Sequence, residues 1–382
     1  MTDERIYLDH HATTPVDPRV AEVVVRVMTE CYGNANSSEH AFGREAASLV
    51  DAAAGQVAAL VGAQPEDVRF TSGASEALRL ALAYASQACG ERPLKVAASA
   101  IEHPALIAEL ERGQGLGWFE LRWMPVNGDG LVLIDTVQTA LDDGAELLCL
   151  MAANNEVGAI QPIEAAAHRT NAAGAAILID ATQAAGRIPF ATREWGVDYL
   201  VVSGHKLYGP KGVGALIGPE LGHAPPPERY AFHDATPNVP GIAGLGEACR
   251  LCGEEMTADE PRIAALRDRL QGRLLANLPG AVVNGPANLR LAANLHLSIT
   301  GVDNGAVVAR LSPHVALSTG AACASGAEAP SHVLRAMGVP TWRQEGALRI
   351  SLGRFTTETQ IDRATAAIVE AIRDVRAYSK AS

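Results

Sequence analysis

Three observations predict an α/β fold, with a large domain built on a mostly parallel sheet flanked by helices and a smaller α+β domain after it. Short apolar runs alternate with stretches of helical length over the first two thirds of the chain. The runs are unbroken by polar residues, as strands covered on both faces must be. The length, 382 residues, exceeds what one hydrophobic core usually supports.

The β-rich runs lie at 68–71, 94–99, 146–151, 175–179 and 199–202. Stretches rich in Ala, Leu, Glu and Arg separate several of them, at 75–87, 104–112 and 163–173, and favour helix. Residues 219–240 carry Pro225, Pro226 and Pro227 in succession and read as a long loop. From about residue 257 the pattern mixes. A charged helical stretch at 260–277 precedes strand-like pieces at 281–284, 294–299, 315–318 and 347–351, and a last helix at 358–378. The expected division is a large domain of residues 15–256 and a small domain of residues 1–14 and 257–382.

Composition excludes several classes. A hydrophobic content of 48% is too high for a disordered chain. A net charge of -12 argues against direct nucleic-acid binding, which needs a basic footprint. No run of about 18 apolar residues is uninterrupted by charge, so no membrane span is expected. The first residues, MTDERIYLDHH, lack the pattern of a signal peptide. Six scattered cysteines do not suggest a disulfide framework, and a cytoplasmic protein with reduced thiols is expected.

In a parallel sheet, ligands bind outside the carboxyl ends of the strands, so the strand ends carry the chemistry. The first run ends in Thr71-Ser72-Gly73-Ala74-Ser75, a turn into a helix whose free N–H groups suit a phosphate or, equally, a plain cap. Asp180 ends a buried run and needs a cationic partner or a helix N-terminus. Lys206 follows another in Ser203-Gly204-His205-Lys206, before a glycine-rich turn. A lysine, a lone acid and a phosphate cradle are the three groups that pyridoxal 5'-phosphate (PLP) requires. His103, before a proline-started helix, suits stacking on a planar ring and proton transfer, or a cap. Asn154-Asn155 suits a carboxylate or ring oxygen, or a turn.

On these residues the chain resembles the PLP-dependent cysteine desulfurases of the NifS/IscS type, class V aminotransferase-like enzymes of fold-type I. The matching text runs nearly the whole length. It includes Tyr7-Leu8-Asp9-His10-His11-Ala12-Thr13-Thr14-Pro15, Thr71-Ser72-Gly73-Ala74-Ser75-Glu76, Asn154-Asn155-Glu156-Val157-Gly158 and Asp180-Ala181-Thr182-Gln183. Further on come Ser203-Gly204-His205-Lys206, Asn238-Val239-Pro240-Gly241, Pro330-Ser331-His332-Val333-Leu334 and Ser351-Leu352-Gly353-Arg354-Phe355-Thr356-Thr357.

The resemblance implies these roles. Lys206 forms a Schiff base with PLP, Asp180 pairs with the pyridine nitrogen, and His103 stacks on the ring. Gln183 and Asn155 address the ring hydroxyl and the substrate. Ser75, Ser203 and His205 hold the phosphate with the Ala74 backbone. Arg354, with Asn155, receives the substrate carboxylate as a bidentate fork. Cys323, among small residues in Ser318-Thr319-Gly320-Ala321-Ala322-Cys323-Ala324-Ser325-Gly326, is the thiolate nucleophile that takes sulfur from L-cysteine. The products are L-alanine and a Cys323 persulfide, which passes to an acceptor protein. Thr236 reaches the phosphate of the neighbouring subunit in a homodimer. No metal is implied. Cys249 and Cys252 read as core thiols.

The chain departs from the pattern in one place. Where the family carries a glycine-rich segment with several arginines, this chain has Pro225-Pro226-Pro227 and Phe232-His233. That departure keeps two alternatives open: another reaction on the same scaffold, such as selenocysteine cleavage, β-elimination or transamination, or a weakly catalytic sulfur-carrier platform. The acceptor, whether an iron–sulfur scaffold, a tRNA-thiolation protein or another carrier, is not named by the sequence.

Overall fold

The computed structural model describes residues 5–87, 89–90, 92–219, 221–225, 236–319 and 331–381. Its strands, in chain order, are β1 (Ile6–Tyr7), β2 (Val68–Thr71), β3 (Leu94–Ser99), β4 (Phe119–Met124), β5 (Leu147–Met151), β6 (Ala176–Asp180), β7 (Tyr199–Ser203) and β8 (Gly214–Ile217), followed by β9 (Ala281–Val283), β10 (Asn294–Ile299), β11 (Val315–Ala316) and β12 (Ala347–Ser351). A seven-stranded sheet has the order β2-β8-β7-β6-β5-β3-β4. The pairs from β7 through β4 are parallel, and β8 runs antiparallel to both its neighbours.

The unbroken apolar strands have a direct physical reading. Successive side chains point to opposite faces. Leu148, Leu150, Ile177, Ile179, Leu200 and Val202 enter one core, which includes Val57 and Leu245 from helices on that face. Leu147, Cys149, Leu178, Val201 and Leu216 enter another, with Leu78 and Leu106 from helices Ala74–Gln87 and Pro104–Gly115. Both faces are dry, so neither register position can be polar.

Strands β4 and β8 were not expected from the sequence. β4 is an edge strand whose residues are partly exposed, so it has no continuous apolar signature. β8 is four residues of a glycine-led segment, recruited between β2 and β7.

A separate core gathers Ile6 and Leu8 with residues from Ile263 to Val375, around the antiparallel sheet β12-β10-β9. β1 joins this region by pairing in parallel with β11. The charged stretch expected as a helix at 260–277 is the second half of one 39-residue helix, Val239–Asn277. Pro261 lies inside it without ending it. Apolar packing of Leu245, Leu251, Ile263, Leu266 and Leu270 along the helix into the two cores outweighs the proline's local penalty.

Candidate active site

Because β2 and β7 are both antiparallel to β8, they run the same way as β5 and β6. The carboxyl ends of these strands therefore share one edge of the sheet. A cleft of about 560 Å³ opens there. Ala74, Ser75, His103 and Asn155 line it, and so do Asp180, Gln183, Ser203, His205 and Lys206. Nine positions spread over more than 130 residues of sequence thus meet in one cavity.

Lys206 ends a tight turn, Gly204–Lys206, directly after β7. Gly204 is needed there: a Cβ would sit 2.7 Å from the Pro210 carbonyl oxygen. Its Nζ donates to the Ala12 carbonyl at 2.9 Å and also to the His11 carbonyl. The N-terminal Asp9–Thr14 segment therefore forms the wall behind the amine. Asp180, the last residue of β6, is buried, and its Oδ1 accepts the Thr182 N–H at 2.9 Å.

His103 caps helix Pro104–Gly115, its Nδ1 accepting the Ala105 N–H at 3.1 Å. Nε2 therefore carries the ring proton of the neutral form. Burial lowers the pKa of His103, Asp180 opposes this, and the charges of Lys206 and His332 add to the lowering. His205 is pushed down to about 4, by burial first and then by Lys206 and Lys211. Both imidazoles are neutral at pH 7.

One end of the cleft is electropositive. Helix Ala74–Gln87 points its N-terminus at it, and Ser75, Ser203, His205 and Lys211 surround that end. Gly73 has φ +146, which a side chain would resist. The other end is amide-rich. Gln183 Nε2 donates to the His11 carbonyl at 2.9 Å, while Gln183 Oε1, Asn155 Oδ1 and Thr182 Oγ1 are buried without a partner. Three such atoms around one cavity are what a polar ligand would satisfy.

Arg354 was expected to receive the substrate carboxylate. It does not line the cleft. Its guanidinium is committed to three carboxylates: Asp259 at 2.8 Å, Asp17 at 3.1 Å and Glu255 at 3.1 Å. It also lies 4.8 Å from the centre of the Tyr208 ring. Tyr208 has φ +60, the strained left-handed region for a bulky residue, two positions after Lys206. Arg354 thus braces the lysine turn, its N–H bonding the Tyr208 hydroxyl at 2.7 Å.

Sequence reasoning passed over Arg349, in buried β12. Its Nη1 donates to the Asn155 carbonyl at 3.1 Å, its Nη2 pairs with Asp9 at 2.8 Å, and its Nε has no partner. An arginine inside the apolar run Ala347-Leu348-Arg349-Ile350 was the available signal, and the structure shows it fully buried.

Cys323 lies outside the described residues, in the segment 320–330. Its described flanks are well anchored. Ser318 exchanges backbone bonds with Arg349, at 3.1 and 2.7 Å, and Ser331 Oγ lies 2.5 Å from Glu156 Oε2. Thr236 is described and exposed, away from this cleft, and the residues before it, 226–235, are outside the described set. Cys249 and Cys252 are buried on the long helix, and burial raises both thiol pKa values, Cys252 to about 11. No group of His, Cys, Asp and Glu among the described residues is arranged to hold a metal.

A lysine turn, a buried acid and a helix N-terminus at the carboxyl edge of this sheet define a class-V aminotransferase. The model of that family, aminotransferase class-V, matches residues 6–364, and the chain belongs to it. Within the family the chain belongs with the cysteine desulfurases. It is 39% identical to the cysteine desulfurase IscS of Anaeromyxobacter sp. (strain Fw109-5), over 98% of this chain and 94% of that one. It is 41% identical to the cysteine desulfurase of Frankia sp. (strain EuIK1), over 99% of this chain and 93% of the other. Among solved structures, a NifS-like protein matches with a TM-score of 0.88 at 31% identity, covering 97% of this chain and all 100% of that one. SspA, solved in complex with cysteine, matches with a TM-score of 0.77 at 26% identity, over 92% of this chain and 100% of its own.

Proposed function

We propose that this enzyme removes the sulfur of L-cysteine, giving L-alanine and a persulfide on Cys323 that passes to an acceptor protein. The observation that carries the reading is the meeting of Lys206, Asp180 and His103 with the partnerless amide oxygens of Asn155 and Gln183 in one cleft.

The donor set fits PLP. The N-terminus of helix Ala74–Gln87, Ser75, Ser203 and His205 suit its phosphate, Asp180 its ring nitrogen, and Gln183 its ring oxygen. Lys206 would attach it through Nζ. When bound, PLP supplies an electron sink for a negative charge developing on the substrate's α-carbon. Asp180 would pair with the protonated ring nitrogen. His103 would cover the ring with a neutral imidazole.

The chain's residues then divide the work. Lys206 Nζ takes the substrate's α-proton. Asn155, backed by Arg349 through its carbonyl, orients the substrate carboxylate, and Arg354 is the guanidinium that the resemblance assigns to the same carboxylate. The Cys323 thiolate attacks the substrate sulfur: an S–S bond forms, the Cβ–S bond breaks, and the carbon side takes up a proton and leaves as alanine.

A homodimer is part of the reading. Val25 and Met28 on helix Pro18–Thr29, Tyr32 just after it and Phe42 at the start of helix Ala41–Val61 are exposed. A small core of Val27, Ala46, Val239 and Ala243 ties that surface to the segment just after Thr236. A second copy covering the patch would bring its Thr236 region with it. The two-domain division near residue 256 is supported by the two cores that meet along the long helix. A cytoplasmic setting with reduced thiols is part of the reading; the five cysteines among the described residues are free.

Purified protein should show a visible cofactor band, lost in Lys206→Ala. With cysteine and a reductant it should form alanine and sulfide, and Cys323→Ser should keep the band while losing turnover. No band in the wild type overturns the cofactor assignment; undiminished turnover in Cys323→Ser overturns the persulfide step.

A further inference from the structure

The motif Ser331-His332 has no part in the chemistry above, yet the structure joins it to both loops that present the working side chains. Ser331 caps the helix His332–Ala336, its Oγ accepting the Leu334 N–H at 3.1 Å. Its own hydroxyl proton is then directed to Glu156 Oε2, at 2.5 Å. His332 Nε2 lies 2.9 Å from the Glu102 carbonyl oxygen. A carbonyl only accepts, so Nε2 bears the proton and donates.

The partners are adjacent to functional residues. Glu102 precedes His103, and Glu156 follows Asn155. Both loops pack under the same short helix, where Val333, Leu334 and Met337 meet Ile101, Met151 and Val157. Asn154 ties the loops together: its Nδ2 donates to the Ile101 carbonyl at 3.1 Å, and its Oδ1 accepts the Glu156 N–H at 2.9 Å. Fixing the Glu102 carbonyl fixes the peptide plane that leads into His103. Fixing the Glu156 side chain fixes the residue after Asn155.

We propose that Ser331 and His332 are positioning residues for the desulfuration, His332 acting through His103 and Ser331 through Asn155. The proposal rests on the desulfurase reading of the cleft. Asp180, Lys206 and His332 face His103 electrostatically, and Arg335 faces His332. Burial lowers both imidazole pKa values, so at pH 7 His332 is a neutral donor with a fixed tautomer.

Four variants test this: His332→Ala, His332→Gln, Ser331→Ala and Ser331→Thr, each first checked for a cooperative thermal transition. Glutamine places an N–H where Nε2 was, and threonine keeps the hydroxyl and the cap. In the holoenzyme, His332→Ala should lower kcat for alanine formation by about tenfold with little change in KM, part of what a well-placed acid–base group supplies. His332→Gln should restore most of it. Ser331→Ala should raise KM for cysteine by about tenfold, with threonine restoring it. A second readout uses cofactor-free protein, with the His103 ring proton followed by NMR. His332→Ala should move its titration midpoint up toward that of an ordinary histidine, and His332→Gln should move it less.

His332→Gln as impaired as His332→Ala, or both equal to wild type, overturns the His332 role. Ser331→Ala and Ser331→Thr shifting KM alike, or neither shifting it, overturns the Ser331 role. Wild-type protein that makes no alanine overturns the desulfurase reading instead; the His103 titration then still decides whether His332 positions that ring.

Discussion

Two arginines five residues apart in sequence have opposite surroundings. Arg354 is enclosed by Asp17, Glu255 and Asp259, and Arg349 touches the Asn155 loop with one nitrogen still without a partner. Both guanidiniums are largely shielded from solvent, so charge alone does not separate them; the neighbours do. Lysine keeps the charge of either but cannot make a forked contact. Arg354→Lys should therefore lower stability by about 1–3 kcal/mol by loosening the carboxylate cluster. Arg349→Lys should raise KM for cysteine by roughly tenfold by loosening its hold on the Asn155 carbonyl. Thermal melts and steady-state alanine assays on the two variants check this. An unchanged KM in Arg349→Lys would show that Arg349 does not position Asn155.

At the scale of elements, the electropositive end of the cleft depends on how closely β8 approaches the turn before helix Ala74–Gln87. A Cβ on Gly214 would lie 2.7 Å from the Val202 carbonyl oxygen and 2.8 Å from Gly73 Cα. These are backbone atoms, which cannot swing aside. Gly214→Ala should thus push the Gly73 turn and its helix end away from Ser203. The expected result is a weaker hold on the cofactor phosphate, read as a PLP dissociation constant at least several-fold higher, with reduced stability. The same close approach explains why β8 was missed in the sequence. A four-residue strand led by glycine has little signal of its own, and its place between β2 and β7 is set by the space left there.

For the whole molecule, buried titratable groups shape stability against pH. Burial holds Glu156 at about 7, with Ser331 and Arg349 pulling it partly back, and holds Glu260 at about 7, with Arg187 opposing. A raised carboxyl means that the folded state keeps a proton the unfolded chain has released. Stability from these groups therefore falls as pH rises from about 4.5 to 7. Buried His10, lowered to about 4, and His296, lowered to about 3, act in the opposite sense. The unfolded chain binds their protons first, so stability rises with pH from about 3–4 up to 6.5. Above pH 6.5 only the carboxyl effect remains, and a decline is expected. Glu156→Gln should match wild type near pH 4.5 and exceed it by up to roughly 3 kcal/mol at pH 8, in denaturant titrations at the two pH values. An equal difference at both would show that Glu156 does not titrate in the folded state.

The sequence by itself determined five of the seven strands of the large sheet, the lysine turn and most of the cleft. The reason is local: a strand buried on both faces must be apolar until it ends, so the polar residues that close β6 and β7, Asp180 and Ser203 with the turn through Lys206, announce the edge where a ligand can sit. His103 and Asn155 were legible on the same ground. Where long-range packing decides, the sequence was silent or misleading. The helix expected from residue 260, with Pro261 in its first turn, in fact continues back to Val239, because two cores hold it through the proline. The partners of Arg354 were not legible, because Asp17 and Glu255 come to it from positions 337 and 99 residues away. Arg349 sits in an apolar run and gives no sign that β12 passes beside the Asn155 loop. Only the tertiary structure brings these partners together, because which charge neutralises which depends on how strands and helices far apart in the chain pack against one another.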